Sequence, residues 1–397
     1  MVGSRVRIVN ARFASIIQSM KKPSKAHRRD FLLGRSALSA AQQKVDEVLG
    51  TPEPTSPAEA GKVAARHYLL EFSHRAMACD FQVLLPPDAQ PEGPEWALEA
   101  LDYLEELEDR WSVYRDHSLM SLVNRNACER PVPVDEELFT LLSLGKQLYE
   151  RTEGAFDMTS GPLTKAWGFY RQEGRMPEEE ELQKALEKVG TPWVELDVSN
   201  QTVRYSRPGI DINLGGIGKG YAIDLCVDRL GWNGLRDYLF HGGLSSVVAR
   251  GNRHPQPESE DEAEEPPQPS GWTVGVLHPI WPGKRLLEVQ LHHQALGTSG
   301  TSRQHFYHQG KRYGHIFDPR TGMPAGGVYS STVIAPTAVE ADALATALYV
   351  MGPEKAAQFC DKNPEIGLIM ISPGRTRQDI NLQTFNLPDE KWVRLMD

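Results

Sequence analysis

The apolar and polar positions divide this chain into short strand-like runs and a few helical stripes. Residues 68–72 and 81–85 read as strands. Leu98, Leu101, Leu104, Leu107 and Trp111 recur at helical spacing and predict a helix that buries one face. Asp135 stands where an N-cap would precede Leu138, Leu141, Leu142, Leu144 and Leu148. A further helix is expected over 178–189, and a strand pair over 194–203 that turns at Ser199-Asn200. Residues 210–214 read as a short apolar strand entering Gly215-Gly216-Ile217-Gly218-Lys219-Gly220, with a helix over 221–230 behind it. Strands are expected at 272–277, 286–291 and 366–371, and consecutive helices at 338–351 and 353–362. Helices and strands mix without strict alternation. The expected fold class is therefore α+β, with largely antiparallel sheets and packed helices, rather than a doubly wound sheet.

The length of 397 residues allows two or three ordinary domains or one large unit. Residues 1–66, basic and then rich in Pro, Glu and Ala, read as leader and linker; residues 67–397 read as one folded domain. Within it, 252–270 is an acidic, Pro-rich insert that can bury little apolar surface and is expected to be a flexible loop. Arg28-Arg29-Asp30-Phe31-Leu32-Leu33 matches a twin-arginine export signal. The apolar run after it is short and no Ala-x-Ala cleavage site follows, which leaves export and cytoplasmic residence both open. No run of eighteen apolar residues occurs, so no spanning helix is expected.

A net charge of −10 argues against a general nucleic-acid or anionic-membrane binder. A phosphorylated ligand would then need cations supplied locally, by Lys, Arg or a metal. Cys79, Cys128, Cys226 and Cys360 are far apart, which argues against structural zinc and a disulfide framework; buried free thiols are expected.

Four stretches carry candidate chemistry. Residues 300–322 place His315 three positions before Asp318, at the mouth of a Pro-Arg-Thr-Gly turn between strand-like flanks. A histidine, an acid and an arginine there suit a phosphorylated ligand; a solvated hairpin tip would use the same residues. The glycine-rich 215–220 turn, between strand and helix, can aim N–H groups at a phosphate or simply make a tight turn. It is neither a P-loop nor a dinucleotide fingerprint. Asp342 and Thr346 share one helical face at i, i+4, a hard-oxygen pair suited to Mg²⁺, or else an acid near a helix N-terminus with a packed threonine. Finally, 153–163 with Trp167-Gly168-Phe169 can frame a planar ring or form core.

Taken in this order, with the 77–83 and 111–124 stretches and His241-Gly242-Gly243, these blocks resemble the ApbE family of FAD:protein FMN transferases. The best blocks are GAFDMTSGPLTKAWGF, INLGGIGKGYAID, HIFDPRTG and ADALATAL. The resemblance implies Mg²⁺-dependent transfer of FMN from FAD to a Thr or Ser of an acceptor protein, releasing AMP. FAD pyrophosphatase activity and flavin binding without turnover are the alternatives. It further implies Asp342, Thr346 and the Gly216 carbonyl as metal ligands. Met77, Tyr114, Ala155, Phe156, Asp157, Asn213, Lys219 and Ile316 are implied as FAD contacts, and His315 as general base. An extracytoplasmic location is expected from the family and the leader. The chain departs from the family pattern at Asn213, where Asp is frequent, at Met77-Ala78-Cys79 in place of Met-Gly-Thr, and at Leu244, where an acid is common.

Overall fold

Arg151, at the end of a helix, bonds two residues that lie twenty-three positions apart on another: Glu340 (2.8 Å) and Asn363 (2.9 Å). A straight helix would hold those two about 35 Å apart. The second helix therefore folds back on itself, at Gly352 (φ 73°) and Pro353. This is the pair of consecutive helices expected from the sequence.

The computed structural model describes residues 5–9, 68–171, 173–253, 271–300, 304–376 and 379–396. Strands β1 (Arg5–Val9), β2 (Leu69–Ala76) and β3 (Cys79–Leu85) precede helices α1 (Gly93–Trp111) and α2 (Leu119–Asn126). Next come β4 (Val132–Pro133), α3 (Glu136–Arg151), α4 (Gly161–Ala166), α5 (Glu179–Leu186), β5 (Val194–Asp197) and β6 (Thr202–Tyr205). They are followed by α6 (Gly218–Trp232), β7 (Tyr238–Gly242), β8 (Ser246–Arg250), β9 (Trp272–Leu277), β10 (Arg285–Leu291) and β11 (Ala295–Gly300). The chain continues through β12 (His305–His308), β13 (Lys311–Gly314), β14 (Ser330–Ala335), α7 (Ala338–Lys362), β15 (Gly367–Pro373), β16 (Ile380–Phe385) and β17 (Trp392–Arg394).

Nine strands form one antiparallel sheet in the order β1-β2-β3-β7-β8-β11-β14-β15-β16. Helices α1, α3, α6 and α7 cover one face, and a smaller sheet, β17-β10-β9, covers the other. The layering follows from residues that alternate within a strand. Leu368 and Met370 of β15 point to the helices, while Ile369 and Ile371 join Trp272, Leu286 and Val289 on the far side. A third cluster, around Trp167, Phe169 and Phe317, seats the β12–β13 hairpin through Phe306 and Tyr313. The α+β class with antiparallel sheets thus holds.

Local signals explain several elements. The Asp135 Oδ1 accepts from the Leu138 N–H at 2.8 Å, the cap expected for α3. Leu101, Leu104, Leu107 and Trp111 are the buried stripe of α1. Residues 210–214 correct the expectation of a strand. Their backbone bonds instead to Asn124, through the Ile212 N–H and C=O (2.9 Å each), and to the Met158 C=O, through the Asn213 N–H (2.7 Å). Burial without a partner strand made an apolar run look like one. Within the stretch read as leader, Arg5–Val9 pairs with β2 as the outermost strand of the large sheet. The Arg28-Arg29 signal lies outside the described residues, as do residues 254–270 of the acidic insert. The insert's roots are tied together, since the Gly271 N–H donates to the Asn252 Oδ1 at 2.7 Å. None of the four cysteines is in a disulfide; Cys226 and Cys360 are buried as expected, but Cys79 is half-buried and Cys128 exposed. No described helix is long and apolar enough to cross a membrane.

Candidate active site

One cleft of about 1190 Å³ gathers the residues that the resemblance implies as metal ligands, FAD contacts and general base. Met77, Tyr114, Ala155, Phe156, Asp157, Asn213, Gly216, Lys219, His315, Ile316, Asp342 and Thr346 all line it. These residues come from six separate stretches of chain, brought together by the end of the large sheet and the loops around it.

The helix-side edge is the most tightly built. Asp342 is 6% exposed and accepts from three donors. The Lys219 ammonium lies 3.0 and 3.2 Å from its two oxygens, the Ser246 hydroxyl 2.8 Å away and the Gly220 N–H 3.1 Å away. Lys219 also bonds Ser246. Thr346, one turn along α7, shares a hydrogen bond of 2.9 Å with Ser299 of β11. A Cβ on Gly216 would stand 3.8 Å from the Thr346 hydroxyl, so Gly216 and Thr346 are close neighbours. One carboxylate, one hydroxyl and one carbonyl are hard oxygen donors. They suit Mg²⁺, which keeps several waters and shares its shell with substrate phosphates. Among the described residues no three His, Cys, Asp or Glu side chains converge, as a zinc site built from protein ligands would require. Ser246 and Ser299 escaped the sequence reading because β8 and β11 themselves did.

The glycine-rich segment differs from its expected form. Leu214–Gly216 is a 3₁₀ turn capped by the Asn213 Oδ1, which accepts from the Gly215 N–H at 2.9 Å. Helix α6 already begins at Gly218, so Lys219 sits in its first turn. Two N–H groups expected for phosphate, those of Gly215 and Gly220, are engaged within the protein. Gly220 is needed for a different reason: a Cβ there would overlap the Ala338 carbonyl oxygen, where α6 crosses α7. Gly220→Ala should lower stability by about 1–3 kcal/mol. An unchanged denaturation midpoint would contradict that close crossing.

His315 is half-buried, edge-on to Phe169 with ring centroids 6.2 Å apart. Its Nδ1 donates to the Gln304 carbonyl at 3.2 Å, a carbonyl being only an acceptor. That bond fixes the tautomer that leaves Nε2 free to accept a proton. Burial lowers its pKa, partly opposed by the Gln304 bond. Asp318 turns away from this chemistry. It holds Arg320 through both oxygens (2.8 and 2.9 Å), and its carbonyl accepts from the Gly322 N–H at 2.8 Å. It is a turn-former.

The aromatic edge is exposed at its tip. Tyr114 is 62% exposed and packs on Tyr170, with centroids 4.9 Å apart. Tyr170 also lines the cleft and follows directly on the 167–169 run singled out from the sequence. Trp167 is core, not wall: it is fully buried and donates from Nε1 to the Gly322 carbonyl at 2.9 Å. The Asp157 carboxylate is engaged by the Thr159 hydroxyl (2.6 Å), the Thr191 hydroxyl (2.8 Å) and the Thr159 N–H (2.8 Å). Met77 (φ 48°) and Ala78 (φ 59°) form the tight β2–β3 turn in the left-handed region. A glycine would sit there without strain; Ala78 costs about 1 kcal/mol.

The profile of the ApbE family matches residues 77–370. A FAD:protein FMN transferase from Vibrio cholerae is 32% identical over 273 residues, covering 68% of this chain and 76% of that relative. The crystal structure of the ApbE protein from Thermotoga maritima superposes with a TM-score of 0.67 at 29% identity, covering 79% of this chain and 96% of that one. The flavin transferase ApbE from Vibrio cholerae superposes with a TM-score of 0.66 at 27% identity, covering 80% and 97%. A profile match across most of the described residues, a relative aligned over two thirds of the sequence and solved structures sharing its layers establish that the chain belongs to the ApbE family.

Proposed function

We propose that this chain transfers the FMN half of FAD to a Thr or Ser hydroxyl of an acceptor protein, in a Mg²⁺-dependent reaction that releases AMP. The observation carrying this reading is that a single cleft holds an oriented imidazole, a lysine and the oxygen-bearing side chains of Asp342 and Thr346 together. Asp342, Thr346 and the Gly216 carbonyl would hold Mg²⁺, and Met77, Tyr114, Ala155, Phe156, Asp157, Asn213, Lys219 and Ile316 would contact FAD. When bound, Mg²⁺ offsets the charge that the pyrophosphate carries as it is cleaved.

His315 Nε2 takes the proton of the acceptor hydroxyl as that oxygen bonds the FMN phosphorus. The bond from this phosphorus to the bridging oxygen breaks, and AMP leaves with that oxygen and its electron pair. Lys219 adds a positive charge at the edge where the phosphates lie. Positioning and charge neutralisation are what phosphoryl transfer needs most, and this acidic protein supplies the cations locally.

Incubation with FAD and Mg²⁺, with and without a threonine-bearing acceptor protein, tests the reading. The expected result is AMP only with acceptor, and flavin bound covalently to it. AMP without acceptor would mean a pyrophosphatase, and no AMP under either condition would leave flavin binding alone. The same reading places the protein outside the cytoplasm, on the strength of the family and the Arg28-Arg29 signal. Cleavage near that signal, measured by mass on the mature N-terminus from an extracytoplasmic fraction, is the expected result; an intact chain confined to the cytoplasm would overturn it.

A further inference from the structure

Helices α6 and α7 cap each other. Asp224, in the second turn of α6, accepts the Ala338 N–H on one oxygen and the Val339 N–H on the other, both at 2.8 Å. In the opposite direction Asp342 of α7 accepts the Gly220 N–H from the first turn of α6. The N-terminal N–H groups of a helix have no partners within it, and here each helix draws one from the other. The local cap of α7 is weaker, since Thr337 accepts from the Glu340 N–H only at 3.4 Å.

This crossing joins the two halves of the cation site. Gly216 and Lys219 belong to the entry and first turn of α6, whereas Asp342 and Thr346 ride on α7. The separation between the Gly216 carbonyl and the Asp342–Thr346 pair therefore depends on how α7 is seated on α6.

We propose that Asp224 is a positioning residue: by anchoring the first turn of α7 on α6, it sets the spacing of Gly216, Asp342 and Thr346 at which a divalent cation binds. This rests on the function proposed above. Arg250 on β8 and Asp228 on the same helix are the charged groups that act on it. Burial pushes the Asp224 pKa up to about 7, against the pull of the two N–H donors and Arg250.

The test uses the full chain and the variants Asp224→Asn and Asp224→Ala. Binding of Mn²⁺ alone is followed by the electron paramagnetic resonance of the free ion, FAD binding by flavin fluorescence without metal, and AMP release as Mg²⁺ is raised. Asp224→Ala should weaken Mn²⁺ binding by about 10- to 100-fold, as loss of a supporting group around metal ligands does. Asp224→Asn, which keeps one acceptor oxygen, should fall between it and the parent. Both should bind FAD like the parent and recover most of their maximal rate at high Mg²⁺. Folded variants with the parent's Mn²⁺ affinity and a merely lower melting temperature would overturn the proposal, and if Asp224→Ala fails to fold, Asp224→Asn decides. A parent chain that binds Mn²⁺ but releases no AMP would remove the proposed reaction and leave the positioning role to the Mn²⁺ comparison. A parent that binds no Mn²⁺ would sink both.

Discussion

Asp342→Ala is expected to reduce Mg²⁺-dependent AMP release by on the order of 10³-fold, equivalent to about 4 kcal/mol of transition-state stabilisation. The size follows from its being the one carboxylate in the proposed ligand set, so its loss removes the only formal negative charge the protein offers the cation. A second effect must be separated from the first. Lys219, Ser246 and the Gly220 N–H all lose their shared acceptor, at a stability cost of about 1–3 kcal/mol. Asp342→Asn distinguishes the two, because it keeps an acceptor oxygen but not the charge. It should fold with a melting temperature near the parent's and still fail to respond to Mg²⁺. Mg²⁺-stimulated turnover in either variant would remove Asp342 from the metal site.

His315→Ala should leave FAD binding intact and slow transfer by about 10²- to 10⁴-fold, the usual contribution of a positioned general base. Its pH dependence gives a sharper signature. Burial lowers the His315 pKa, so the imidazole stays neutral to a lower pH than a free one. The acid limb of the rate profile should therefore lie below the ordinary histidine value of 6.5. The variant should lose that limb, with its slow residual rate flat across the same range. If FAD binding disappears with the side chain, His315 is structural; if the limb persists in the variant, another group is the base.

Much of this architecture was legible along the chain. The buried stripe of α1, the Asp135 cap of α3 and the two-part helix broken before Pro353 each depend on residues within a turn or two of one another. So does the pairing of Asp342 with Thr346 on one face of α7. Strands β7, β8 and β11 were not legible. β7 is buried throughout and shows no alternation, and β11, Ala-Leu-Gly-Thr-Ser-Gly, is too small and polar to read as a strand. Its composition has a tertiary cause: a Cβ on Gly297 would collide with the Ala341 backbone, because α7 lies directly on that strand. Missing these strands meant missing Ser246 and Ser299, whose hydroxyls bond Asp342 and Thr346.

The sequence alone determined the main helices and several strands, the spacing of Asp342 and Thr346, and the polar turn that presents His315, since helix and turn geometry are fixed by a few consecutive residues. Only the tertiary structure decided what those groups meet. Lys219 reaches Asp342 across 123 positions of chain, and Asp224 reaches Ala338 across 114. No local period encodes such contacts. They exist because a glycine at the α6–α7 crossing lets two backbones approach, and each helix then satisfies the other's unpaired N–H groups.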